Sequence, residues 1–164
     1  MDRRVFVVLS VLMLLGLSAC DLGRAPEPDP QFLKLEFKYS FGNVVNTFDG
    51  KLTKDLVLDG SITIPFWFTS DEQNLIVAEL NRAEFFQLPD TVRSQQGVRV
   101  EPNPGAQWLR VQLDQRQKSV VWFFPPEQTN GYGEAIQRLA AAIRSIVEGK
   151  REYKLLPAAR GGYI

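Results

Sequence analysis

The chain contains no histidine and a single cysteine, Cys20, among 164 residues. The absence of imidazole removes serine–histidine and cysteine–histidine devices, histidine-ligated zinc and the commonest general base. A lone thiol rules out an internal disulfide and a cysteine-rich metal site. Gly42, Gly50 and Gly60 fall in turns and lack the spacing of a phosphate-cradling loop. Neither sign is in excess: 19 basic side chains balance 19 acidic ones. Such a balance carries no electrostatic footprint for nucleic acid or for an anionic membrane face. Carboxylates are the chemistry that remains.

Long hydrophobic runs are scarce, and the one present is at the start. Arg3 and Arg4 precede an apolar run from Val5 to Leu17, shorter than the roughly 20 residues that a membrane span needs and of the size of a signal-peptide core. The run ends in Leu17-Ser18-Ala19-Cys20, which resembles the bacterial lipobox position by position. The resemblance implies cleavage before Cys20, diacylglycerol and palmitate on that residue, and a lipid-anchored protein on the extracytoplasmic side of a cell membrane, either periplasmic or on the outer surface. The cysteine count agrees with this reading, because an exported free thiol is a redox liability unless something consumes it. An aspartate after the lipidated cysteine, as in Asp21, implies inner-membrane retention in enterobacterial lipoproteins. Sorting differs in other bacteria, so the choice of membrane stays open.

The expected organisation is a signal peptide over residues 1–19, a lipidated N-terminus and tether over 20–30, and a single globular domain over 31–164. Pro26, Pro28 and Pro30 alternate at the end of the tether and favour an extended chain, giving a reach on the order of 30 Å. The mature chain of roughly 145 residues has the size of one domain. Its composition, 45% hydrophobic and 11% aromatic, is that of a folded unit rather than a disordered stalk.

From Phe32 to Phe41 apolar and polar residues alternate, which predicts a half-buried strand. Asn43 to Gly50 reads as turn, Leu52 to Leu58 as a second strand, Asp59-Gly60 as a hairpin signal, and Ser61 to Phe68 as a third strand. Pro65 in that strand cannot donate to a ladder and predicts an edge or a bulge. Ser70-Asp71-Glu72-Gln73 predicts a capping box and a helix carrying Ile76, Leu80 and Ala83 on its core face, with Phe85-Phe86 as core filling. A hairpin of Gln107 to Leu113 and Ser119 to Phe124 follows, joined by the polar turn from Asp114 to Lys118. A last helix runs from Gly133 to Gly149, its stripe made of Ile136, Leu139, Ala140, Ile143, Ile146 and Val147. The expected fold is α+β: a mainly antiparallel sheet of about five strands with two helices packed on one face, in the order strands, helix, strands, helix.

The stretch from Ser70 to Asp90, a capped helix ending in Phe85-Phe86-Gln87-Leu88-Pro89, resembles uncharacterised bacterial exported and lipoprotein domain families. The resemblance implies a loop, a hairpin and a final helix after it, and brings no activity.

Four features are candidates for function, the last being the basic, partly apolar C-terminal segment from Lys150 to Ile164, of which Tyr153 to Leu156 is expected to dock on its own sheet. Asp49, Asp55 and Asp59 sit near turns and offer carboxylates for calcium or for a glycosidase pair, but apolar residues separate them and Asp-Gly pairs also simply make tight turns. Trp67, Trp108 and Trp122 fall on predicted strands, where core packing is the favoured role over a binding wall. The link from Asp90 to Gly105 is long for a compact domain and predicts a binding segment through Arg93, Gln95, Gln96 and Arg99. No catalytic residue, metal ligand or cofactor other than the lipid on Cys20 is expected. The reading is a non-enzymatic binding module of the cell envelope, taking an envelope protein or a cell-wall glycan and no nucleic acid. A carboxylate-dependent enzyme on an envelope polysaccharide and a structural spacer are the alternatives.

Overall fold

The alternating pattern after the tether builds β1 (Leu33–Tyr39), in which Leu33, Leu35, Phe37 and Tyr39 are buried and Lys34, Glu36 and Lys38 project to the other side. A meander continues with β2 (Asn43–Asn46), β3 (Lys51–Asp55) and β4 (Ser61–Pro65). Helix α1 (Ser70–Arg82) and a single 3-10 turn (Phe85–Gln87) lead to β5 (Thr91–Val92). A hairpin of β6 (Ala106–Leu113) and β7 (Arg116–Phe123), helix α2 (Tyr132–Gly149) and a short helical turn α3 (Arg151–Lys154) complete the order. This computed structural model describes residues 31–92, 105–123 and 131–163. The leader, Cys20, the tether and the loop residues 93–104 lie outside the described residues.

The fold is α+β. Among the described residues its sheet has seven strands in the order β4-β3-β2-β1-β6-β7-β5, so β1 is the central one. All neighbours are antiparallel except β5, which pairs in parallel with β7 at Thr91↔Val121 and Val92↔Trp122. One face carries Leu33, Leu35, Phe37, Val45, Leu52, Leu109, Val111, Val120 and Trp122. The same cluster takes in Ile76 and Leu80 of α1 and Ile136, Leu139, Ile143 and Val147 of α2, so both helices cover that one face and, among the described residues, the other is left open.

Several elements differ from expectation for identifiable reasons. Asn43 to Asn46 forms a strand because Val45 reaches the core opposite Leu52 and Phe37, tertiary packing overriding turn composition. The ladder then extends through a side chain: the Thr47 amide donates to the Leu35 carbonyl, and the Thr47 hydroxyl accepts from the Leu35 amide at 2.8 Å. The second hairpin turns at Asp114-Gln115 alone, with Leu113 facing Arg116 and Asp114 in the left-handed region at φ 54° that aspartate tolerates. Pro65 closes the edge strand β4, as its missing donor requires.

The capping frame shifts by one residue. Thr69 is the N-cap: its hydroxyl accepts from the Glu72 amide at 3.2 Å, and the Glu72 carboxylate accepts from the Thr69 amide at 2.8 Å. Gln73 is thereby released from capping and is fully buried. Its Oε1 accepts from the amides of Phe32 and Leu33, both at 3.1 Å, and its Nε2 donates to the Phe68 carbonyl. One helical side chain thus fixes the point where the chain enters the sheet.

Candidate functional site

The open face of the sheet gathers side chains that the strand phase sends away from the core. Cross-strand register lines them up in two central rows. One runs Thr63, Thr53, Val44, Lys38, Trp108, Val121 and Thr91, and the other Pro65, Lys51, Asn46, Glu36, Arg110 and Ser119. Lys34 stands beside them opposite Gln112.

Aromatic rings and cations interleave on this surface. The Lys38 ammonium lies 5.1 Å from the Trp108 ring centre and donates to the Ala106 carbonyl at 3.3 Å. The Arg110 guanidinium lies 4.1 Å from the Phe48 ring centre and 3.8 Å from the Glu36 carboxylate. Such stacking on a ring face holds a cation in place without neutralising it. Trp67 is 42% exposed, and its indole lies against Gly50, where a Cβ would stand 3.4 Å from Nε1 and φ is +65°. On this face Lys34, Lys38, Lys51 and Arg110 stand with three carboxylates, Glu36, Asp49 and Asp55, of which only Glu36 lies on β1 or β6. An almost neutral chain therefore gathers positive charge on the two central strands of this face.

The three tryptophans divide. Trp122 is core at 2% exposure, whereas Trp67 is exposed and Trp108 is half-buried on the open face. The core role favoured for all three holds for Trp122 alone, because the phase of β6 and of the segment after β4 turns the other two outward.

The aspartates serve turns and the C-terminal segment. Asp49 accepts from Asn46 Nδ2 at 3.1 Å in the β2–β3 turn. Asp55 accepts from the Val57 amide at 2.9 Å and from the Tyr163 hydroxyl. Asp59 receives a two-pronged hydrogen bond from Arg160 at 2.5 and 2.7 Å, which holds its carboxyl below the usual carboxylate range. Tyr163 also stacks on Phe41 at 4.1 Å, and Arg160 bridges to Val57. The chain end thus straps the β3–β4 connection. Among the described residues no three histidine, cysteine, aspartate or glutamate side chains gather as a ligand set.

The segment singled out in the sequence, Arg93, Gln95, Gln96 and Arg99, lies outside the described residues. Thr91, shortly before it, borders a recess of about 590 Å³ between β5 and β7. Phe86, Asp90, Lys118 and Val121 line it, and Lys118 pairs with Asp90 at 2.7 Å. A second recess of about 310 Å³ separates the end of α1 from the start of α2, beside Arg82, Glu84 and Tyr132. Both are shallow surface features. Sequence reasoning passed over the open face, although its signal was present in the polar phase of the strands: Lys34, Glu36 and Lys38 on one, Trp108 and Arg110 on another.

No helix among the described residues is long and apolar enough to cross a membrane. No family model matches the chain, and no curated protein matches it.

Proposed function

We propose that this chain is a lipid-anchored extracytoplasmic lipoprotein whose domain is a non-enzymatic binding module of the cell envelope. The anchor rests on Leu17-Ser18-Ala19-Cys20. The observation that carries the binding role is the open face, where Lys38 on Trp108 and Arg110 on Phe48 form a fixed, partly exposed polar and aromatic surface. A rigid sheet holds such groups at constant spacing, as recognition requires. The aspartates considered for catalysis are engaged in turns and in the C-terminal strap, which argues against their working as an acid pair.

Metabolic labelling with a fatty acid, followed by fractionation, tests the anchor. Label on the wild-type chain and none on Cys20→Ala is the expected result, and continued labelling of the variant refutes the assignment. For the module, photo-crosslinkers placed at Gln112 on the open face and at Asn74 on the outer side of α1 report the binding side. Adducts from Gln112 alone are expected; adducts from Asn74 alone would move the site to the helices.

A further inference from the structure

We infer that the open sheet face docks on the anionic phospholipid surface to which the chain is anchored. This rests on the lipoprotein reading and goes beyond it, because an anchor alone leaves the orientation of the domain undefined.

Three observations converge. The first is charge placement: on the central strands β1 and β6 Lys34, Lys38 and Arg110 meet Glu36 alone, a positive surplus that the whole-chain balance conceals, while Lys51 on β3 stands near Asp49 and Asp55. Asp49, bonded to Asn46, and Asp55, two residues beyond Thr53, confine their negative charge to the β2–β3 side of this face and leave the surplus on β1 and β6. Lys34 and Lys51 are exposed, free to reach phosphate oxygens. The second is the companion chemistry: Trp108 carries the Lys38 ammonium over its ring, and Trp67 is exposed against Gly50, the residue before Lys51, the pairing of amphipathic aromatic rings with basic side chains that suits the headgroup region. The third is the length of chain before the domain. Ten residues separate Cys20 from Gln31 and span at most about 35 Å. They join β1, the central strand, three residues before Lys34. The basic side chains of β1 therefore begin three residues from the attachment point, which keeps them within reach of the lipid, a confinement that makes weak contacts effective.

Among the described residues the helix-covered side mixes its signs: the acidic side chains of α1, α2 and α3 intersperse there with Arg82, Arg138, Arg144, Lys150, Arg151 and Lys154.

The test uses the full lipidated chain in vesicles of phosphatidylcholine alone and of phosphatidylcholine with phosphatidylglycerol in roughly equal parts, both carrying lipid brominated near the headgroup. Flotation reads the anchor and bromine quenching of tryptophan reads docking, with buried Trp122 as the unquenched remainder. The expected result is flotation with both lipids and quenching of Trp67 and Trp108 only with the anionic one. That increment disappears at about 1 M salt, where the Debye length is about 3 Å, and in the Lys34→Glu, Lys51→Glu double variant, whose near-ultraviolet circular dichroism stays native. Equal quenching in both lipids, or flotation with no quenching, overturns the docking while leaving the anchor intact. Absence of flotation on neutral vesicles refutes the anchor, and docking is then judged from quenching on anionic vesicles alone. If a soluble anionic glycan shields Trp67 and Trp108 from acrylamide while anionic vesicles quench neither, the face belongs to a glycan and membrane docking is refuted.

Discussion

Replacing Gln73 with leucine removes the acceptor that ties the first strand to the first helix while preserving volume and helix propensity. The native amide accepts from Phe32 and Leu33 and donates to the Phe68 carbonyl. The Leu33 amide is buried, so stranding it costs about 1–3 kcal/mol, and the half-exposed Phe32 amide costs less because water reaches it. The Phe68 carbonyl retains the Gln31 side chain at 2.8 Å and adds little. The expected loss is about 2–4 kcal/mol, a large share of the roughly 5–15 kcal/mol that holds a domain together. In urea this lowers the midpoint by about 1–2 M with an unchanged slope. Asn74→Leu, one position along on the exposed side of the same helix, is the control and should fall within about 0.5 kcal/mol of wild type. Equal midpoints for the two variants would refute the claim that Gln73 fixes the entry of the chain.

Trp122→Ala empties a fully enclosed site and should cost about 3–5 kcal/mol, whereas Trp67→Ala should cost about 1 kcal/mol or less, both read by denaturant unfolding. Burial pushes the Tyr39 phenol well above its ordinary range, with Tyr153 and Glu148 adding to the shift. Below pH about 10 folded and unfolded states are both protonated there. Above it the unfolded chain releases a proton that the folded one keeps, and stability falls by about 1.4 kcal/mol per pH unit; Tyr39→Phe should flatten that alkaline slope in urea midpoints taken at rising pH. Arg160→Ala should return the Asp59 carboxyl toward its ordinary range, seen by carboxyl NMR titration, and should speed amide exchange at Leu58, which donates to the Arg160 carbonyl.

The parts legible in the sequence were those governed by periodicity. The alternation in β1, the apolar stripe of α2 and the edge placement forced by Pro65 all appear in the structure. The strand count rose from about five to seven, since β2 lies in a turn-like composition and β5 pairs over only two residues. The capping box was visible in two overlapping frames, Thr69 with Glu72 and Ser70 with Gln73. The choice between them depended on a long-range contact, the burial of Gln73 against β1, which no local pattern contains. The open face was hidden for a related reason. Its cations come from β1, β3 and β6, far apart in sequence, and only the register brings them together while whole-chain charge averages them away.

Oxidative footprinting of the protein in its native envelope, compared with the purified chain, tests most directly that the open face is where this domain makes contact. The account predicts that Trp67 and Trp108 become protected in the envelope while Leu75 and Leu155, exposed on the helical elements, label equally in both. Protection of Leu75 and Leu155 with full labelling of Trp67 and Trp108 would contradict it.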